Sequence, residues 1–188
     1  MSTHGLLLAA GAGRRMGQPK ALVRAQDGTP WLLRSVEVLR EGGCAQVAVV
    51  LGARAEEAAE LLSAARGDEV SVVRAADWND GMSASLRAGL RALVDTPATA
   101  ALVHLVDLPD VGADVVSRVL AVAGDHPGAL ARATYEGTPG HPVVLGREHW
   151  GPILEASEGD HGARDYLVDN PPLCVPCGDL AAGEDVDR

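Results

Sequence analysis

A glycine-rich loop near the start of the chain carries residues suited to binding an anion. Gly11, Gly13 and Gly17 lie between an apolar run and Lys20, which is the only lysine among 16 basic residues. Bare backbone N–H groups in a glycine turn bind anions, and a lysine adds a compact point charge that the planar fork of arginine does not supply. The loop predicts a cradle for a triphosphate, with a surface lysine in a flexible turn as the alternative.

The spacing of this loop differs from those of two commoner phosphate-binding motifs. Its G-x-G-x-x-x-G pattern is one residue longer than the dinucleotide fingerprint, and Pro19 interrupts the helix that should follow. No glycine–lysine pair followed by serine or threonine is present, so the loop is not a P-loop. Arg14, Arg15 and Lys20 together supply enough positive charge to offset a triphosphate.

An aspartate later in the chain is a candidate metal ligand. Asp107 follows an apolar run and precedes Leu108-Pro109. A carboxylate at a strand end can hold Mg2+, which binds one or two carboxylates together with substrate phosphate oxygens. Capping of the following helix is the alternative role, and we assign that role to Asp110.

A polar segment between the glycine loop and Asp107 is a candidate nucleotide contact. Asn79, Ser83 and Ser85 surround the start of a predicted helix, where free N–H groups attract a phosphate or a polar base edge. Simple capping of that helix by Asn79 or Asp80 is the alternative.

Two segments in the last third of the chain contain further candidate contacts. His141, in Gly140-His141-Pro142, is placed to touch a substrate, although a lone histidine is more often structural, and we assign it no acid or base role. Arg164 ends the segment Gly159–Arg164 and is a candidate anion contact, with a helix-capping role for this segment as the alternative.

Short apolar runs alternate with helical patterns over the first two thirds of the chain. The predicted strands are Gly5–Ala10, Gln46–Leu51, Val70–Arg74 and Ala101–Val106, and the predicted helices are Pro30–Arg40, Ala55–Ala65, Met82–Leu93 and Gly112–Ala123. Strands that are almost continuously apolar are typical of a parallel sheet covered on both faces. The alternation predicts a three-layer α/β/α sandwich with a mostly parallel, Rossmann-like sheet and right-handed crossovers.

The rhythm weakens after about Ala129. Here we predict strands Ala129–Tyr135 and Pro142–Leu145 and helices Arg147–Ala156 and Gly162–Asn170. We expect residues 1–188 to form a single domain, with an acidic tail over about 179–188 that frays unless Asp185 or Asp187 is held in the site. Because ligands of open parallel sheets bind beyond the carboxyl ends of the strands, the polar clusters should converge there.

Composition limits the classes of partner. A net charge of −10 argues against nucleic acid and anionic membranes, whereas residues 1–40 carry six basic and two acidic residues, which suits a small anionic ligand. No run is long enough to cross a bilayer and no signal peptide is evident, so we expect a cytoplasmic protein. Cys174 and Cys177 have C-x-x-C spacing without a second pair, and we expect them to be structural or incidental.

Taken in order, these motifs resemble those of the MobA-like nucleotidyltransferases. The resemblance lies in Leu8-Ala9-Ala10-Gly11, Arg15-Met16-Gly17, Lys20, Asn79-x-Gly81-Met82-x-x-Ser85-Leu86-x-x-Gly89, Asp107-Leu108-Pro109, Gly140-His141-Pro142-Val143 and Gly159-Asp160-x-Gly162-Ala163-Arg164. The Ala9-Ala10-Gly11 form and the short gap between Met16 and Lys20 are most similar to the molybdenum cofactor cytidylyltransferase branch.

This resemblance implies the nucleotide-diphospho-sugar transferase type of fold and an Mg2+-dependent enzyme. It would transfer CMP from CTP to a molybdopterin-type acceptor, release pyrophosphate, and pass its product to a molybdoenzyme. The resemblance implies catalytic roles for Arg15, Lys20 and Asp107, and metal binding by Asp107 and Asp187. The implied nucleotide-binding residues are Leu8, Ala9, Ala10, Gly11, Ala12, Gly13, Arg14, Arg15, Lys20, Asn79, Gly81, Ser83 and Ser85. The implied acceptor-binding residues are Gly140, His141, Asp160 and Arg164.

The sequence departs from the family pattern in places, and other functions stay open. Arg14 stands where many members have a small residue, and Gly13 stands where many have serine. Asp185-Val186-Asp187 resembles a family metal motif. The alternatives are a nucleotidyltransferase acting on a sugar phosphate or another small molecule, a non-catalytic molybdopterin carrier, and an NAD(P) oxidoreductase, which the glycine spacing disfavours.

Overall fold

A seven-stranded mixed sheet forms the centre of the computed structural model, which describes residues 2–66, 70–157 and 159–186. The strands are β1 (Thr3–Ala9), β2 (Val47–Leu51), β3 (Val70–Arg74), β4 (Ala100–Leu105), β5 (Leu130–Tyr135), β6 (Thr138–Gly146) and β7 (Leu173–Pro176). Their spatial order is β3-β2-β1-β4-β6-β5-β7. Only β6 runs antiparallel to its neighbours among these strands, so the predicted mostly parallel sheet is confirmed.

Helices cover both faces of the sheet. Over the described residues they are α1 (Trp31–Glu41), α2 (Ala55–Arg66), α3 (Met82–Val94), α4 (Ala113–Ala123), α5 (Arg147–Ala156) and α6 (Arg164–Asp169). The side chain of Leu7 packs in the core on the side of α1, α2 and α4, while that of Leu6 packs with α3, α5 and α6. Successive residues of a strand point to opposite faces, so the two clusters form the predicted three-layer sandwich. None of the described helices combines the length and apolar character needed to cross a bilayer.

The C-terminal third contains the main differences from the predicted elements. β6 begins at Thr138, four residues before the predicted strand, and β7 forms where no strand is predicted. In β7 only Val175 is buried, because the strand lies at the sheet edge. A short edge strand with one buried side chain lacks the apolar pattern that identified the other strands. The predicted helix from Gly162 is the shorter α6, preceded by a 3-10 turn over Gly159–His161.

The acidic tail is anchored over its described residues rather than frayed. The backbone N–H groups of Ala182 and Gly183 donate to Asp110 Oδ2 at 2.8 and 3.0 Å. The N–H of Val186 donates to the carbonyl oxygen of Asp107 at 3.0 Å. The capping role assigned to Asp110 is wrong, because its carboxylate binds the tail and α4 begins after Gly112 without a side-chain cap.

A glycine in α3 allows this helix to pack closely on the central strand. Gly89 lies over the fully buried Leu6 of β1, and a Cβ atom at position 89 would stand 2.5 Å from Leu6 Cδ1. Such a distance requires the neighbour to move within a close-packed core. Gly89 thereby sets the spacing between the sheet and the helix whose N-terminus faces the polar clusters.

We expect Gly89→Ala to lower the free energy of unfolding by about 1–3 kcal/mol through overpacking. Urea denaturation measures this change. Leu6→Val, which shortens the obstructing side chain, provides the control: it should cost less stability in the Gly89→Ala background than in the wild type. Strict additivity of the two substitutions would contradict a direct clash between these positions.

Candidate active site

A cleft of about 350 Å³ lies at the carboxyl ends of β1 and β4. The parallel register of these strands, with Leu8 beside Leu105, brings the loop that follows β1 next to Asp107. The predicted nucleotide-binding residues that line the cleft are Leu8, Ala9, Ala10, Gly11, Ala12, Gly13, Arg14, Lys20, Asn79, Gly81 and Ser85. Asp107 and Asp160 line it as well. Polar clusters that are far apart in the sequence thus meet at one edge of the sheet.

The glycine loop reaches the cleft because it folds back on itself. Gly13 has a φ of 56°, and a Cβ there would overlap the carbonyl oxygen of Gln18. The N–H of Met16 donates to the Gly13 carbonyl at 2.9 Å, which closes the turn. Pro19 then leads into a 3-10 turn that begins at Lys20. Glycine is required at position 13 because this turn combines a positive φ with a close backbone approach.

An ion pair joins the two sides of the cleft. Lys20 Nζ lies 2.6 Å from Asp107 Oδ2, and the two side chains are only 17% and 15% exposed. The lysine predicted to bind phosphate and the aspartate predicted to bind metal therefore contact each other. Partly buried charges are much less costly when they are paired, so the contact offsets part of the cost of placing both charges in the cleft.

A second polar contact crosses the mouth of the cleft. Arg14 Nη2 donates to Asn79 Oδ1 at 2.8 Å. The guanidinium of Arg14 can only donate hydrogen bonds, so the Asn79 atom that faces it must be the oxygen. The Asn79 amide is thereby oriented with its Nδ2 group free to donate to a ligand. The side chain of Asp160, not that of Asn79 or Asp80, receives the first N–H of α3, from Met82 at 3.3 Å. Neither Asn79 nor Asp80 caps α3, so the capping alternative for these two residues is wrong.

Several predicted site residues lie away from the cleft surface. Ser83 is fully buried, and its hydroxyl donates to the Gly162 carbonyl at 3.4 Å. This hydrogen bond joins α3 to the turn that precedes α6. Arg15 is exposed and does not line the cleft. Gly140 packs against the ring of Tyr135. Asp187 lies outside the described residues.

A larger cavity of about 540 Å³ adjoins the cleft, and Leu8 and Met82 line both. Most of its walls are apolar side chains: Leu86, Val103, Val143, Leu145, Leu167 and Val168. Of the predicted acceptor-binding residues, His141 and Arg164 line this cavity, whereas Asp160 lines the cleft instead. Arg132 also lines the cavity, although it was not among the site residues predicted from the sequence. A single arginine inside a predicted strand can be placed at a site only when the face of the strand to which it points is known.

Two histidines near this cavity, His141 and His104, are neutral near pH 7. Burial and the nearby Arg132 lower the pKa of His141 to about 4. Burial, with a contribution from His141, lowers the pKa of His104 on β4 to about 3. Both imidazoles lose their proton well below neutral pH, so neither His141 nor His104 adds positive charge to that of the arginines at the cavity.

Comparisons with known proteins agree with this geometry. The sequence model of the MobA-like NTP transferase domain matches residues 5–173. The chain is 35% identical over 193 aligned residues to nicotine blue oxidoreductase from Paenarthrobacter nicotinovorans, with 97% of this chain and 91% of that protein covered. The crystal structure of Rv0371c from Mycobacterium tuberculosis H37Rv superposes with a TM-score of 0.78 at 30% identity, covering 100% of this chain and 93% of that one.

A second crystal structure of Rv0371c, in complex with manganese, gives a TM-score of 0.71 at 27% identity and covers 94% of this chain and 87% of that one. The family match spans the glycine loop, Asn79, Asp107 and His141, the same segments on which the resemblance was based. The family resemblance is confirmed: this chain belongs to the MobA-like NTP transferase family of nucleotidyltransferases.

Proposed function

We propose that this protein transfers a nucleotide from a nucleoside triphosphate to a phosphorylated acceptor, acting as a single domain over residues 1–188. The observation that carries the proposal is the meeting of the glycine loop, Lys20 and Asp107 in one cleft beside a second cavity. A triphosphate in the cleft and an acceptor in the cavity would meet near Leu8 and Met82, which line both.

The proposed reaction needs little covalent help from the protein. An oxygen of the acceptor phosphate attacks the α-phosphorus while the bond to the oxygen bridging to the β-phosphate breaks, and pyrophosphate leaves with that electron pair. The attacking phosphate is already an anion, so no general base is needed. Lys20 and the N–H groups of the glycine loop stabilise the negative charge that grows on pyrophosphate. Holding the reactants in adjoining cavities supplies the orientation.

The residues present fit a divalent cation, which we propose is Mg2+. The Asp107 carboxylate lies at the cleft, and the bond from the Val186 N–H to the Asp107 carbonyl brings the backbone of Asp185 close to it. Such a donor set suits Mg2+, which binds through one or two carboxylates and takes further ligands from substrate phosphate oxygens. Asp187 is proposed as a second ligand. The manganese complex of Rv0371c supports a divalent cation in this family.

We propose CTP as the nucleotide, a molybdopterin-type compound as the acceptor and a molybdoenzyme as recipient of the product. The Ala9-Ala10-Gly11 turn supports CTP through its similarity to the cytidylyl branch, and Ala10 is buried against the cleft. The apolar walls of the second cavity suit a flat heterocyclic body.

A second candidate is an oxidoreductase acting on a heteroaromatic compound. It is favoured by the 35% identity to nicotine blue oxidoreductase over nearly the whole chain. Two assays on the purified protein separate the candidates. Pyrophosphate release from CTP with acceptor and Mg2+ supports nucleotide transfer and excludes a passive carrier. NAD(P)H oxidation with a heteroaromatic dye, without pyrophosphate release, would instead support the oxidoreductase.

We expect Lys20→Ala to weaken CTP binding by about 1.5–3 kcal/mol, because one charge-assisted phosphate contact is lost. The same change removes the competitor for Asp107, so Mn2+ or Mg2+ without nucleotide should bind more tightly than to the wild type. Calorimetric titrations with CTP and with the metal alone measure both effects. Unchanged CTP affinity together with unchanged turnover would refute the triphosphate cradle.

We expect Asp107→Asn to lower Mg2+-dependent turnover at least 100-fold, since it removes the charge that holds the cation while keeping the shape of the side chain. Turnover should be measured across a magnesium titration, with circular dichroism to check the fold. Asp95→Asn, at an exposed aspartate after α3, is the matched control and should behave as the wild type. Full activity of Asp107→Asn at every magnesium concentration would contradict a metal-binding role.

We expect Ala10→Gly to relax a preference for CTP over GTP. The methyl group of Ala10 would narrow the space beside the base, and size exclusion of this kind is worth only about 1–3 kcal/mol. Competition between the two nucleotides gives the ratio of kcat/KM values. The substitution should lower CTP turnover less than it changes that ratio. A wild-type protein that prefers GTP would refute the proposed base choice.

A further inference from the structure

An arginine interrupts the apolar face of the sheet beneath α3, α5 and α6. The strand register aligns Arg132 of β5 with Val143 of β6, and Val143 with Val103 of β4. Aligned residues of neighbouring strands point to the same face, and both valines belong to the core on the α3 side. Leu130, two residues before Arg132, packs against the same core. Arg132 is thus a charged residue in a row of buried aliphatic side chains.

No carboxylate balances this charge within the described part of the chain. The Nε atom of Arg132 is buried and has no hydrogen-bond partner. The described residues offer neither Arg132 nor Arg164 an ion pair, and burial, with a smaller contribution from the nearby Arg164, lowers the pKa of Arg132. Arg132 is half-buried, with its Nε atom fully enclosed, and an unpaired charge in such a position lowers stability. Such a residue is best explained by a ligand that supplies the missing anion.

Arg132 and Arg164 both line the 540 Å³ cavity, in which Thr138 adds a hydroxyl and His141 a neutral imidazole. Arginine forks bind phosphate and carboxylate groups through paired hydrogen bonds. The rest of the cavity wall is mainly apolar, so an anion entering it would have few other polar partners.

The position of Arg132 separates it from the reacting phosphates. It lies two strands from β4 and is level with Val103, four residues before Asp107. With neighbouring strands about 4.8 Å apart and about 3.3 Å per residue along a strand, the Cα atoms of Arg132 and Asp107 are on the order of 15 Å apart. Asp107 lines the cleft and not the cavity, whereas Arg132 lines the cavity and not the cleft, so an anion beside each residue occupies a different compartment.

We infer that Arg132 and Arg164 form a subsite for a second anionic group of the acceptor, a phosphate or a carboxylate that does not react. This inference rests on the proposed nucleotide transfer to a phosphorylated acceptor, and it names an acceptor class that differs from molybdopterin, which carries one phosphate and no carboxylate. The acceptor is an elongated molecule with an apolar, flat body and two anionic ends. One end attacks the nucleotide near Lys20 and Asp107, and the other is held by the two arginines.

Arg132→Met tests the subsite because it keeps an unbranched, flexible stem and removes the charge. The melting temperature of the ligand-free variant should rise by a few degrees, since an unpaired, half-buried charge is replaced by an apolar group. Arg91→Met, at an exposed arginine of α3, is the matched control and should leave the melting temperature unchanged. A lower melting temperature for Arg132→Met would mean a structural arginine and would overturn the inference.

Anion binding is measured as the rise in melting temperature with inorganic phosphate, and in a separate series with acetate. A Lys20→Ala background weakens anion binding in the cleft and leaves the Asp107 carboxylate there to repel anions. Either anion should stabilise this background protein, and adding Arg132→Met should abolish the effect. Arg164→Met, at an exposed position, should reduce it. If Lys20→Ala/Arg132→Met and Lys20→Ala/Arg164→Met both kept the full anion-dependent rise in melting temperature, the subsite would be overturned. The ratio of the rise with phosphate to the rise with acetate shows which of the two anions the subsite prefers.

Turnover separates this inference from the proposed function. With the acceptor, Arg132→Met should raise the KM for acceptor at least tenfold and leave the KM for CTP within twofold. If the wild type released no pyrophosphate, nucleotide transfer would be refuted. The subsite would still stand if Arg132→Met abolished the anion-dependent rise in melting temperature. Normal pyrophosphate release with unchanged acceptor KM and unchanged anion shifts would retain nucleotide transfer and refute the subsite.

Discussion

The contact between Lys20 and Asp107 is the interaction on which the site depends. It exists because β1 and β4 are parallel neighbours, so that the segments after both strands leave the same edge of the sheet. The turn at Gly13 folds the first segment back far enough for the ammonium to reach the carboxylate. The spacing of α3 over β1, set by Gly89, determines where Asn79 and the helix N-terminus face this pair. Sheet topology, one turn and one close packing contact thus produce the charge arrangement.

The two cavities differ in how their charges are balanced. In the cleft, Lys20 and Asp107 neutralise each other, whereas Arg132 and Arg164 have no anionic partner among the described residues. Clustered like charges at an apolar cavity create a local positive potential on a chain whose net charge is −10. An anionic ligand in the second cavity would therefore pair with arginines that repel each other. In the cleft, an anionic ligand would have to displace Asp107 from Lys20.

Sequence reasoning identified most of the sheet and the cleft because their signals are local. Continuous apolar runs marked β1 and β4, and the rule that ligands bind beyond strand ends placed Asp107 near the glycine loop. The anchored tail was not predictable, since backbone N–H groups make most of its hydrogen bonds and the ion pair of Asp179 with Arg118 joins residues far apart in the sequence. Arg132 was missed because its meaning depends on strand register. Only the alignment with Val143 and Val103 reveals that it occupies an apolar face.

The ion pair also bears on the form in which a nucleotide would bind, if the cleft holds one as proposed. A free triphosphate that displaced Asp107 from Lys20 would leave a carboxylate facing phosphate oxygens, and like charges at this distance repel. A free divalent cation that took Asp107 would similarly face the ammonium. A complex of both ligands replaces one ion pair by two, because phosphate binds Lys20 while the cation binds Asp107. A balanced pair in the ligand-free cleft thus favours the metal–nucleotide complex over either component alone, through the electrostatics of this chain's own residues.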